Sequence, residues 1–102
     1  MDIFRLIKRG LPPEERLRLN RIKGELAESL ARTKYEAMGY EVRRTRRGSD
    51  FRAIYRNVWG DVVEDKYVEV KSGDSQLSPL QRRMRKRLKR RYVVERYDPF
   101  IF

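Results

Sequence analysis

The chain contains no cysteine and no histidine. That removes thiol nucleophiles, disulfides, the common zinc clusters and any histidine general base from consideration. It also lacks any apolar run long enough for a membrane span or a signal peptide. Acids are outnumbered, 15 against 26 basic residues, which leaves a net charge of +11 in 102 residues. A chain of this length makes one compact domain with a modest core. The expectation is a single domain over 1–102, with an N-terminal arm at 1–11 and an apolar tail at 98–102, in an intracellular protein of cytoplasm or nucleoid. Its natural partner is a polyanion, because Lys and Arg that neutralise phosphates release condensed counterions. With histidine and cysteine absent, any catalysis has to use carboxylates, lysine, tyrosine or a hard metal held by oxygen.

Pro12-Pro13-Glu14-Glu15 is a helix-start pattern, since proline suits the first turn and acids suit the positive end of the helix dipole. The helix should run to about Met38 and stop at Gly39. Leu19, Ile22, Leu26, Leu30, Thr33 and Ala37 recur at helical spacing and are expected to form the main core stripe. Gly24, Ala27, Ala31, Tyr35 and Met38 form a second stripe of mostly small residues, suited to close packing on a sheet. Strands are expected over 40–47, 50–56 and 62–71, the last two joined by a turn at 57–61. On the third strand Val68 and Val70 should face one way, and Tyr67, Glu69 and Lys71 the other. Ser78-Pro79-Leu80-Gln81 reads as a capping box that opens a second helix, with Leu80, Met84 and Leu88 inward. A final strand follows at 92–97. The order is α-β-β-β-α-β, an α/β fold with a small mixed central sheet flanked by helices.

A cation site needs two or more oxygens converging on one point. Asp50 opens the second strand directly after the Gly48-Ser49 turn, and Glu69 lies on its hairpin partner. Side chains repeat every two residues along a strand, so Glu69 and Lys71 share a face. Asp50, Glu69 and Lys71 can therefore meet at one end of the sheet. There two carboxylates can hold Mg²⁺, and Lys71 can orient a water or stabilise charge on phosphoryl oxygens. An acid and a lysine alternating on an exposed strand face are also common without function.

Gly48-Ser49-Asp50 followed by Glu69-Val70-Lys71, after a helix with Lys23-Gly24 and Glu28, resembles the PD-(D/E)XK nuclease superfamily. It looks most like the archaeal Holliday-junction resolvases and their endonuclease relatives. The resemblance spans about residues 22–97, with Ser49 where the motif's name has proline. It implies a restriction-endonuclease-like fold and a Mg²⁺-dependent DNA endonuclease, with Mn²⁺ able to substitute, acting on structured or branched DNA. It also implies Asp50, Glu69, Val70 and Glu28 at the metal and Lys71 beside the attacking water. Glu25 and Glu36 are the other first-helix acids, and Glu28 is preferred because it borders the small-residue stripe. A glutamine in the helix after the lysine recurs among such relatives, which gives Gln81 a catalytic reading beside its capping one.

Two basic clusters complete the reading. Arg43, Arg44, Arg46 and Arg47 lead into Asp50, and Arg82, Arg83, Arg85, Lys86, Arg87, Lys89, Arg90 and Arg91 fill the second helix and its end. Both are expected to contact phosphates. Trp59, in the hairpin turn, is either a stacking or wedge residue or a packing residue of the hairpin or a dimer, and the packing role is the one expected. With Phe100, Ile101 and Phe102 it is the apolar surface from which a homodimer is expected, the alternative being a tail that folds back onto the first helix of its own chain. The rival readings are a non-catalytic nucleic-acid binder with a degenerate nuclease fold, and a small subunit whose tail docks a partner.

Overall fold

The computed structural model describes residues 9–97. The apolar tail and most of the N-terminal arm lie outside the described residues. Helix α1 (Pro13–Ala37) is followed by strands β1 (Glu41–Arg44), β2 (Phe51–Arg56) and β3 (Val62–Ser72). Helix α2 (Pro79–Leu88), a single 3₁₀ turn (Lys89–Arg91) and strand β4 (Tyr92–Tyr97) complete the chain. The expected α/β order, α-β-β-β-α-β, is the observed one. No helix among the described residues is long and apolar enough to cross a membrane.

The four strands form one mixed sheet in the order β1-β2-β3-β4. The pairs β1–β2 and β2–β3 are antiparallel, as hairpin connections require. The pair β3–β4 is parallel, and α2 supplies the crossover that a parallel connection needs. β1 stops at Arg44, short of the expected 47, because the chain then bends into the loop that carries Gly48. α1 ends as its sequence predicts: Gly39 adopts φ +92, its N–H donates to the Glu36 carbonyl, and the Tyr40 N–H donates to the Tyr35 carbonyl, both at 3.0 Å. This pair of bonds satisfies two otherwise orphaned carbonyls.

The rotation of α1 differs from the expected one. Lys23, Ala27, Ala31 and Tyr35 are its buried residues, at four-residue spacing. Ile22, Leu26 and Leu30, expected in the main core stripe, are 39%, 42% and 49% exposed. The small-residue stripe carries the contact because α1 lies close over Phe51, Ala53 and Val68, all fully buried. Leucines there would hold the helix away and leave gaps that dispersion does not fill. Tyr35 closes the core edge-on against Phe51, with ring centroids 5.7 Å apart. α2 covers the opposite face of the sheet, with Leu80, Met84 and Leu88 half-buried and its arginines outward.

Candidate active site

Asp50 is fixed before β2 begins. Its N–H donates to the Val68 carbonyl at 2.9 Å, and its Oδ2 accepts the Val70 N–H at 2.6 Å. One carboxylate oxygen is thus bound to the backbone of β3, one residue from Glu69. The loop ahead of it is held from two sides. Thr45 Oγ1 donates to the Ser49 carbonyl at 2.5 Å, and the Tyr92 hydroxyl donates to the Gly48 carbonyl at 2.7 Å. Gly48 itself has φ +81 and lies against the Met84 sulfur, where a Cβ would collide. Gly48→Ala is therefore expected to lower stability by about 1–3 kcal/mol through backbone strain and displacement of α2. Urea denaturation measures it; an unchanged midpoint would mean that the loop is not clamped in this way.

Glu69 points away from Val68, as the strand alternation predicts, and is 5% exposed. Its Oε1 accepts a hydrogen bond from Gln81 Nε2 at 2.7 Å and lies 3.6 Å from Lys71 Nζ. Burial and the nearby Asp50 charge push the Glu69 carboxyl up to about 7, with Glu28 adding to the effect and Lys71 opposing it. Two carboxylates in a poorly solvated corner carry more negative charge than one lysine offsets. Asp50 Oδ1 and Glu69 Oε2 accept no hydrogen bond from the described residues. Each acid thus has one oxygen tied for orientation and one left over, a donor set that fits a hard divalent cation.

Asp50, Glu69, Val70, Lys71 and Gln81 are all brought to this corner. Gln81 meets both of its readings at once. Its Oε1 accepts the Ser78 N–H at 2.8 Å and its own N–H donates to Ser78 Oγ at 3.2 Å, closing the capping box. Its remaining amide nitrogen is free to hold Glu69. Val70 gives its N–H to Asp50. Glu28 stays further out, half-exposed and 3.9 Å from Arg32, and reaches Glu69 only through its charge. Among the described residues no three acidic side chains form a group that could hold a metal. Tyr92 is a member of this corner that sequence reasoning missed. It is buried, and burial together with the Glu69 and Asp50 charges raises its pKa. Nothing in its spacing links it to Asp50, since the contact is made across the parallel strand pair and the Gly48 loop.

The two basic clusters meet in space. Arg47, from the loop before Asp50, lines one groove with Arg83 and Arg87 of α2, over Leu80 and Met84. The Arg85 charge is felt at Tyr92, which places it toward the acidic corner. Arg44, Arg46, Lys86, Lys89 and Arg90 are exposed. Others are engaged in the fold: Arg43 pairs with Glu41 at 3.0 Å, Arg82 donates to the Leu77 carbonyl at 2.9 Å, and Arg91 lies 3.3 Å from Asp65. Trp59 is 82% exposed, so the expected packing within its own hairpin is not made. No family model matches this chain, and comparisons with curated proteins and with solved structures return no significant match, so the superfamily resemblance rests on these residues alone.

Proposed function

We propose that the protein is a metal-dependent endonuclease of the PD-(D/E)XK type that hydrolyses DNA phosphodiesters, preferentially in branched or structured DNA. The observation that carries the proposal is the buried Glu69 beside Asp50, each with one oxygen oriented by the fold and one left over. Mg²⁺ or Mn²⁺ held by Asp50 and Glu69 would supply the positive charge that activates water and neutralises phosphate. Lys71, on the same face as Glu69, orients the attacking water or meets charge developing on the phosphoryl oxygens. Gln81 keeps the Glu69 carboxylate in place, and Arg47, Arg83 and Arg87 hold the backbone being cut. The test is a cleavage assay on linear, nicked, single-stranded and four-way DNA, in Mg²⁺ and in chelator. Cleavage confined to Mg²⁺ supports the proposal, and no cleavage of any substrate rejects it. A non-catalytic nucleic-acid binder is the second reading, favoured by Glu28, which lies against Arg32 and does not form a three-acid group with Asp50 and Glu69.

Either reading requires electrostatic binding. The exposed members of the two clusters are expected to engage about five to eight phosphates, giving a log–log salt slope of roughly −4 to −7 on duplex DNA. A slope near zero would mean that the charge is not the binding surface.

We also propose a homodimer, and the exposed Ile22, Leu26 and Leu30 of α1 support it better than the expected surface at Trp59. α1 nearly balances its charges, with Glu14, Glu15, Glu25, Glu28 and Glu36 against Arg16, Arg18, Arg21, Lys23, Arg32 and Lys34. A second copy can approach there without the repulsion that the rest of a +11 chain imposes. Sedimentation equilibrium should show a dimer that Leu26→Glu dissociates; a monomeric wild type excludes it.

A further inference from the structure

The tip of the β2–β3 hairpin is built to hold apolar side chains in solvent. Val58 is 90% exposed and Trp59, the sole tryptophan, 82%. The turn beneath them is firmly bonded. Asn57 Oδ1 accepts the N–H groups of both Trp59 and Asp61 at 3.0 Å. The Asn57 N–H donates to the Asp61 carbonyl at 2.9 Å, and the Gly60 N–H donates to the Asn57 carbonyl at 3.0 Å. Gly60 supplies the positive φ, +87, that this turn requires, and its carbonyl accepts Arg56 Nη1 at 3.0 Å. A turn so fully bonded fixes the backbone from which Trp59 projects, so little main-chain ordering is lost when something stacks on it.

The apolar surface continues onto β3. Val62 and Val63, 50% and 59% exposed, line a groove together with Glu64, Asp65, Lys66, Arg90 and Arg91, in which Lys66 pairs with Glu64 and Arg91 with Asp65. Arg90 and Arg91 directly continue the α2 segment whose Arg83 and Arg87 line the groove near the acidic corner. The α2 segment and its end thus carry exposed basic residues from the side of Asp50 and Glu69 to Arg90 beside the hairpin. Val62 and Glu69 lie seven residues apart on one strand, which is roughly 23 Å at about 3.3 Å per residue.

We propose that the hairpin tip is a stacking platform for unpaired bases, so that the preferred ligand is a nucleic acid with a single-stranded arm or branch beside a duplex. This rests on the nucleic-acid reading of the basic face and deepens it. Charge selects the occupant. Arg90 is exposed beside the apolar surface, while Arg56 pairs with Glu41 and Arg91 with Asp65, and a second copy of this +11 chain would bring net like charge together. A nucleic acid brings phosphates to Arg90 and the neighbouring basic residues of α2, and aromatic faces to Trp59. A blunt duplex offers the phosphates but keeps its bases stacked on one another.

The single tryptophan makes the test direct. Asp50→Asn protein without divalent cation is titrated with a blunt duplex and with the same duplex bearing a single-stranded arm, and Trp59 fluorescence is followed. The armed duplex should quench the fluorescence and the blunt one should not. Trp59→Ala should lose roughly 10- to 100-fold in affinity for the armed duplex while binding the blunt one unchanged. Trp59→Phe should retain most of the armed-duplex affinity. Equal quenching by both probes, or no loss in Trp59→Ala, overturns the proposal. So does a Trp59 emission shift with protein concentration alone, which would show that a second copy covers the tip. None of these readouts depends on cleavage, so a failed nuclease assay and a failed platform are told apart.

Discussion

Asp50→Asn and Glu69→Gln are each expected to reduce DNA cleavage in Mg²⁺ by at least about a thousandfold, equivalent to roughly 4 kcal/mol of transition-state stabilisation. Binding to the same DNA should hold or tighten. Both acids are proposed to meet the phosphate being cut, and removing one negative charge lowers the repulsion it feels. The substitutions are nearly isosteric. Asn keeps an oxygen to accept the Val70 N–H, and Gln keeps one to accept from Gln81, so the fold should persist. Cleavage rates and filter binding on one preparation check both parts. A variant with near-normal cleavage would remove its residue from the metal site, and a variant that loses binding in parallel would point to misfolding.

Glu69→Gln should also make the cation-free protein more stable at pH 8. The Glu69 carboxyl titrates near 7 in the fold, against an ordinary value of 4.5. A raised acid pKa means that the fold favours the protonated form. The contribution of Glu69 to stability is therefore present below pH 4.5 and lost as pH rises through about 7. Taking about 1.4 kcal/mol per unit, the wild type should lose about 2–3 kcal/mol between pH 5 and 8 from this group, and Glu69→Gln should not. Urea denaturation in chelator at the two pH values measures the difference. Mg²⁺ added at pH 8 should restore the wild type and leave Glu69→Gln unchanged. Parallel pH profiles for the two proteins would show that Glu69 is ordinary in the fold.

Local patterns were readable in the sequence wherever one segment decides them. The Glu69 and Lys71 face follows from strand alternation alone, and the α2 start follows from Ser78 and Gln81. The α1 stop follows from Gly39, whose positive φ few other residues adopt cheaply. The rotation of α1 differs from the one hydrophobicity predicts because hydrophobicity ranks leucine above alanine, whereas close contact with Phe51 and Val68 ranks size first. Non-local placements were hidden for a different reason. Arg47 joins Arg83 and Arg87 only because Gly48 docks on Met84, and Tyr92 reaches the Gly48 carbonyl only after β4 pairs parallel to β3. No spacing within one segment encodes such contacts. Gln81 shows the converse case, one side chain whose capping oxygen and free amide nitrogen serve both of the purposes its position suggests.

The most direct measurement of the central claim is calorimetric titration of the cation-free protein with Mn²⁺ near pH 7, in two buffers of different ionisation enthalpy. A site made by Asp50 and Glu69 predicts saturable binding with release of a proton, because Glu69 is part-protonated at that pH and must ionise to bind the ion. The Asp50→Asn, Glu69→Gln double variant should show neither. Wild-type protein that takes up no Mn²⁺, or a double variant that binds it as tightly as the wild type, would contradict the assignment.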